Sequence, residues 1–229
     1  MANATRLSEA DIEKIYLCPL FKGIAPSILA SIIKKPYVRI ASYEDDQIIW
    51  GMGSKTTQLL LVLSGELGLV GTNLWNQGSI LEFLGAGSLF GAEYVLSKDN
   101  RLNYDLCSLE DSNVLTIDYR KLCSDKEYSK VKDIISTNLL EFSITRSHAL
   151  QARIYHLAQN TTREKLLAYL SDEAKAAGKN DFHINMDRQD LADYLSVERS
   201  AMCAELSRMQ KDGLIRYNKN NFTIKKVKK

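Results

Sequence analysis

The chain has 229 residues, 45% of them hydrophobic and 25% charged, with 3 prolines and 12 glycines. That composition excludes collagenous and low-complexity chains, and no apolar run reaches the roughly 20 residues that a membrane helix needs. The net charge of +2 is unevenly spread: from Arg199 to Lys229 there are nine Lys/Arg and two Asp/Glu, which leaves −5 on the remainder. A basic end on an acidic body points to a polyanionic partner. Cys18, Cys107, Cys123 and Cys203 lie far apart and form no Cys-x-x-Cys pair, so neither a disulfide framework nor a metal site is expected. The opening Met-Ala-Asn-Ala-Thr-Arg lacks the basic-then-apolar order of a secretory leader, so a cytoplasmic location without a membrane partner is expected.

Residues 8 to 36 read as short helices around a turn. Ser8 is an N-cap candidate with Asp11 three residues on, and Pro26–Ile33 is apolar at helical spacing until Pro36. From Tyr37 to Asp118 the pattern changes to short β-prone runs separated by glycines: Tyr37–Ile40, Gln47–Trp50, Leu59–Leu63, Glu66–Val70, Ile80–Leu84, Leu106–Leu109 and Val114–Ile117. Strands at this spacing predict a barrel, roll or sandwich, and Ser64-Gly65 reads as a tight hairpin turn.

After Asp125 the period changes again. Val131, Ile135, Asn138, Phe142, Thr145, Ala149, Ala152 and His156 recur in steps of four and three, with a second stripe of Leu140, Ile144, Ser147, Leu150, Ile154 and Leu157 beside them. A helix over Lys126–Gln159 would be about 50 Å long. One stripe is expected to pack on its own strand domain and the other on a second subunit, making a homodimer.

Asn160-Thr161-Thr162 ahead of Glu164 predicts a capped helix over Arg163–Ala177, ended by Gly178. A strand at Phe182–Asn185 follows, then helices Arg188–Leu195 and Glu198–Lys211 joined at Ser196-Val197, then a hairpin of Leu214–Tyr217 and Phe222–Ile224. This order reads as a winged helix-turn-helix. A major groove about 12 Å wide admits one helix, whose first turns must offer donors and small side chains to base edges. Arg199, Ser200 and Ala201 open that helix, Cys203, Ala204 and Ser207 continue its exposed side, and Met202, Leu206 and Met209 hold it to a core. Arg216, Lys219 and the terminal lysines suit phosphates.

The run from Leu191 to Ile215 closely resembles the DNA-binding motif of the CRP/FNR family of bacterial transcription regulators. Leu60-Leu-Val-Leu-Ser-Gly-Glu-Leu-Gly-Leu-Val70 and Gly78-Ser-Ile-Leu-Glu-Phe-Leu-Gly-Ala-Gly-Ser-Leu-Phe-Gly91 resemble the same family's sensory domain. The resemblance implies an α+β chain: an N-terminal antiparallel β-roll (a double-stranded β-helix, jelly-roll-like) over 1–124, a long dimerisation helix over 125–160, and a C-terminal winged helix-turn-helix over 161–229. It also implies an effector-responsive regulator, commonly an activator, that binds a palindromic operator in double-stranded DNA and has RNA polymerase as a further partner. Arg199 and Ser200 stand where family members read bases, with Arg199 placed to bond guanine. Ala204 replaces a base-reading arginine of the best-known member, and Glu198 stands where Ser is common.

Members of the family that bind cyclic AMP use a glutamate directly after Phe-Gly for the ribose and an Arg-Ser pair for the phosphate. Here Phe90-Gly91 is followed by Ala92, with Glu93 one place late, and Leu102-Asn103 stand in place of Arg-Ser. Cyclic AMP is therefore disfavoured, because losing a charge-assisted phosphate contact in a buried site costs on the order of several kcal/mol. The effector expected instead is an unidentified small organic molecule, lined by Gly91, Ala92, Glu93, Tyr94, Asn103 and Tyr104 with Ser147 and His148 of the long helix. No cofactor is assigned. Cyclic-nucleotide binding, or a thiol switch at Cys107 and Cys123, is the alternative. The glycine-rich stretches Gly51–Lys55 and Gly85–Gly91 miss the P-loop and dinucleotide spacings, and no nucleophile–base–acid set appears, so catalysis is not expected.

Overall fold

The computed structural model describes residues 7–72 and 78–225. The chain divides into two compact units, with the division between Ile144 and Thr145 inside one long helix.

The first unit opens with helix α1 (Glu9–Leu17), where Ser8 and Asp11 form a reciprocal capping box. A 3-10 turn at Pro19–Phe21 and helix α2 (Pro26–Ile33) follow, the latter with Pro26 in its first turn. Among the described residues, eight strands build two antiparallel sheets: β1 (Val38–Tyr43), β2 (Ile48–Trp50), β3 (Gln58–Ser64), β4 (Glu66–Thr72), β5 (Gly78–Gly85), β6 (Leu89–Phe90), β7 (Asp105–Ser108) and β8 (Ser112–Asp118). Their orders are β1-β8-β3-β6 and β2-β7-β4-β5, the β-roll expected from the sequence. Short helices α3 (Ala92–Leu96) and α4 (Tyr119–Ser124) complete the roll, and a 3-10 turn at Lys126–Tyr128 leads into α5 (Ser129–Leu157). The long helix thus begins three residues later than its periodicity suggested, because Asp125 caps the tighter turn by accepting the Glu127 N–H at 3.0 Å.

Strand β3 shows why the roll closes. Leu59 to Leu63 are all buried, and a strand sends successive side chains to opposite faces. Leu59, Leu61 and Leu63 pack with Ile15, Leu20, Leu29 and Ile32 of the helical cap and with Val131, Ile135 and Leu139 of α5. Leu60 and Val62 pack inside the roll with Leu67, Phe90, Tyr94, Leu102 and Leu106. Each such side chain contributes about 1.5–3 kcal/mol through burial.

The second unit holds the rest of α5, then α6 (Thr162–Ala177), β9 (Asp181–His183), α7 (Arg188–Tyr194), α8 (Arg199–Lys211), β10 (Ile215–Asn218) and β11 (Asn221–Ile224). Thr161 and Glu164 form the capping box read from the sequence, and Gly178 closes α6 in the left-handed region. The three strands pair antiparallel in the order β10-β11-β9. Leu166, Leu170, Leu191, Leu195, Met202, Leu206, Met209, Ile215 and Phe222 form a separate core. The result is a winged helix-turn-helix.

Candidate nucleic-acid interface

The turn between α7 and α8 is made by Leu195, Ser196 and Val197, with Ser196 in the left-handed region at φ +50° and the Val197 N–H donating to the Ala192 carbonyl at 3.0 Å. At the other end of that turn Glu198 caps α8. Its carboxylate accepts the backbone N–H of Ser200 at 2.8 Å and of Ala201 at 2.7 Å, as well as the Ser200 hydroxyl. These bonds, the Ser200 hydroxyl foremost, hold the Glu198 carboxyl below its ordinary range. The negative charge also suits a helix N-terminus.

Helix α8 is two-sided. Met202, Leu206 and Met209 are buried, together with Glu205, whose carboxylate accepts from Arg163 Nε at 2.5 Å and pairs with Arg208 Nε at 3.1 Å. Arg199, Ser200, Ala201, Ala204 and Ser207 are exposed, and Cys203 is half-buried. Seven of the eight residues proposed from the sequence for DNA therefore lie fully on the surface of this unit: these five, Arg216 on β10 and Lys219 at the hairpin tip. Lys219 takes the left-handed region at φ +49° to make that tip. None of Arg199, Arg216 and Lys219 forms a salt bridge among the described residues. Of the terminal lysines, Lys225 is exposed, and Lys226, Lys228 and Lys229 lie outside the described residues.

Sequence reasoning did not give two residues the roles they take on this surface. Glu198 is one, since glutamate is not among the favoured N-caps. Arg188 is the other. Its guanidinium lies 5.5 Å over the Tyr217 ring and 5.2 Å over the Phe222 ring, and its Nη2 donates to the Lys219 carbonyl at 2.5 Å. The side chain therefore fixes the wing tip against α7, and its Nη1 is buried without a partner among the described residues. An open groove between the first turns of α7 and α8 and the wing tip is lined by Arg188, Arg199, Lys219 and His183 with Asp187, Gln189, Asn220 and Asn221. Its cationic lining suits a polyanion.

In the roll, Gly91 caps α3 at φ +97°, and a Cβ there would stand 2.7 Å from the Gln58 carbonyl oxygen, so glycine is required. Ala92 and Tyr94 are buried, with the Tyr94 and Phe90 ring centroids 5.7 Å apart. Glu93, Asn103 and Tyr104 are exposed. Leu102 is 2% exposed and sits in the inner core, while neighbouring Arg101 is spent on the Gly53 carbonyl at 3.2 Å and on Asp99 at 3.8 Å. Ser147 and His148 are exposed on α5, in the second unit. The Cys107 thiol is pushed up by burial, then by Asp105 and Asp46, which works against thiolate reactivity. No helix among the described residues is long and apolar enough to cross a membrane.

Two family models match the chain: a Crp-like helix-turn-helix domain over residues 164–229 and a cyclic nucleotide-binding domain over residues 40–123. Among solved structures, FixK2 from Bradyrhizobium japonicum is 16% identical, with 82% of this chain and 93% of that one covered at a TM-score of 0.51. The c-di-GMP responsive global regulator CLP of Xanthomonas campestris is 16% identical over 83% and 95% at 0.54. A cyclic nucleotide-binding domain from Methylobacillus flagellatus is 16% identical over 69% and 90% at 0.56. At these identities the structural likeness speaks for the fold. No curated protein sequence matches the chain.

Proposed function

Because the chain belongs to the CRP/FNR family of transcription regulators, we propose that it is a homodimeric, effector-responsive activator that binds a palindromic operator and acts on RNA polymerase. Residues 1–124 sense the effector, 125–160 dimerise and 161–229 bind DNA. The observation that carries the DNA-binding reading is the sidedness of α8, with Arg199, Ser200, Ala201, Ala204 and Ser207 exposed over a buried stripe beside a wing bearing Arg216 and Lys219.

Dimerisation through α5 is supported by its uncovered apolar stripe. Leu140, Ile144, Leu150 and Ile154 are 56%, 48%, 47% and 66% exposed, at spacings that share one helix face. Two recognition helices so joined would enter successive major grooves about 34 Å apart. An effector acts by its different affinity for two settings of that dimer.

That effector is a small molecule other than cyclic AMP. The supporting observation is Leu102, an apolar side chain buried in the roll's core at the place where the family's cyclic-AMP binders carry the phosphate-binding arginine. The residues of the roll proposed to line the effector are Gly91, Ala92, Glu93, Tyr94, Asn103 and Tyr104.

The experiment is binding of the full chain to DNA recovered from a random-sequence library. Affinity should fall steeply between about 50 and 200 mM salt, as counterion release requires. Arg199→Ala should cost about 1–3 kcal/mol at one base pair and relax choice there. A uniform loss on all sequences would assign Arg199 to phosphate, and binding without salt dependence would refute the reading.

A further inference from the structure

The face of α8 turned away from the core carries two hydroxyls, Ser200 and Ser207, separated by the methyl of Ala204, and all three residues are exposed. A serine has one proton to give and two lone pairs. The Ser200 hydroxyl gives its proton to the Glu198 carboxylate. The Ser207 hydroxyl gives its proton to the Cys203 carbonyl at 3.0 Å and stands 3.4 Å from the Tyr217 hydroxyl. With that proton committed, Ser207 is the acceptor toward Tyr217 and keeps one further lone pair. The Glu198 carboxylate is acceptor-only, and a charge-assisted bond of the kind it receives is roughly twice as strong as a neutral one, so the Ser200 proton is not easily turned toward another acceptor.

The middle of the recognition face therefore shows acceptors and methyl groups, and its donor is Arg199 at the edge. In the major groove adenine N6 and cytosine N4 are donors, whereas guanine O6 and thymine O4 are acceptors. An acceptor held over one position of one strand thus separates amino bases from keto bases, a division that is neither purine against pyrimidine nor A·T against G·C. We propose that Ser200 and Ser207 are specificity-determining residues that select amino bases at two operator positions per half-site, beside the guanine chosen by Arg199. This rests on the DNA-binding reading of α8 and adds to it what that helix discriminates.

The test is a random-sequence selection with the full chain, repeated with Ser200→Ala and Ser207→Ala, followed by affinities on the four single-base variants at each affected position. Each substitution should flatten one position of each half-site. At that position the wild-type chain should hold adenine and cytosine within about twofold of each other, and both about 2- to 12-fold above guanine and thymine, the worth of one hydrogen bond. Replacing the adenine by purine, which lacks the amine, should cost the wild type the same factor and leave Ser200→Ala unaffected. A Ser200-dependent position that sorts purines from pyrimidines, or a motif unchanged in both variants, overturns the proposal while the DNA-binding reading stands. Recovery of no sequence at all would overturn both.

Discussion

His156 Nε2 lies 3.1 Å from Asp172 Oδ2, and on its other side Nδ1 lies 3.1 Å from the Tyr194 hydroxyl. The imidazole is 3% exposed, so the last turn of α5 is tied by one side chain to both α6 and α7. The Tyr169 ring meets it edge-on at 5.7 Å. His156→Phe keeps an aromatic body and deletes both polar contacts, which should cost about 1–3 kcal/mol because two partly buried polar groups lose their partner. Denaturant titration of the full chain checks this.

The Asp172 carboxyl is held below its ordinary value by the Lys175 ammonium first and by His156 as well. A carboxyl depressed on folding adds stability above its unfolded value, about 3.9, and loses it as pH falls through the folded value. Glu173 opposes this, since burial raises its carboxyl and its contribution declines as pH rises. Melting temperatures of Asp172→Asn measured from pH 6 to about 3 should therefore fall less steeply with acid than those of the wild type. An equal slope would show that Asp172 is unlinked.

Much of this was legible in the sequence, for reasons particular residues make plain. The steps of four and three from Val131 to His156 announced α5, and Thr161 with Glu164 announced the start of α6, because both are local patterns. Strand β6, with two residues, and helices α3 and α4 escaped, since such short pieces complete no period; Leu89 and Phe90 are held as a strand by Leu61 and Leu60 of β3. His156 read as the last position of the stripe that recurs in steps of four and three, and its partners are 16 and 38 residues further along the chain. A pairing at that separation leaves no mark in spacing. Glu198 escaped as a cap because glutamate is not among the residues favoured at that position.

Gly65, between β3 and β4, has φ +82°, and a Cβ there would lie 2.1 Å from Ser112 Oγ and 2.7 Å from the Asp111 carbonyl oxygen. The backbone of the loop before β8 leaves no room for a methyl group. Gly65→Ala should cost at least about 1–3 kcal/mol, the expense of a left-handed non-glycine residue, with the clash adding to it. The denaturation midpoint should drop accordingly, and a midpoint within error of the wild type would contradict the argument.

Glu205 lies in the buried stripe of α8 at 8% exposure, bracketed by Arg163 and Arg208, and Arg163 also reaches Asp212 at 2.7 Å. Removing Arg163 leaves the buried Glu205 charge with Arg208 alone, whereas neutralising both is milder. Arg163→Ala should lower the melting temperature by more than Glu205→Gln does. The double variant should melt above Arg163→Ala alone, because the charge left behind is gone. Strictly additive shifts would show that the two side chains act independently.

The apolar stripe of α5 gives the last expectation. Ile154 is 66% exposed and Leu150 is 47% exposed, a solvent cost that a facing copy of the helix would remove at about 25 cal/mol per Å² of apolar surface covered. A charge placed in the middle of such a seam must be desolvated without a partner, so Ile154→Glu should shift the chain from dimer to monomer in sedimentation analysis. The core of the second unit does not include Ile154, so its fold and melting should persist. Binding to a full palindrome should then weaken to that of a single half-site, because the second recognition helix is no longer tethered to the first. A variant that remains dimeric at micromolar concentration would place the interface elsewhere on the chain.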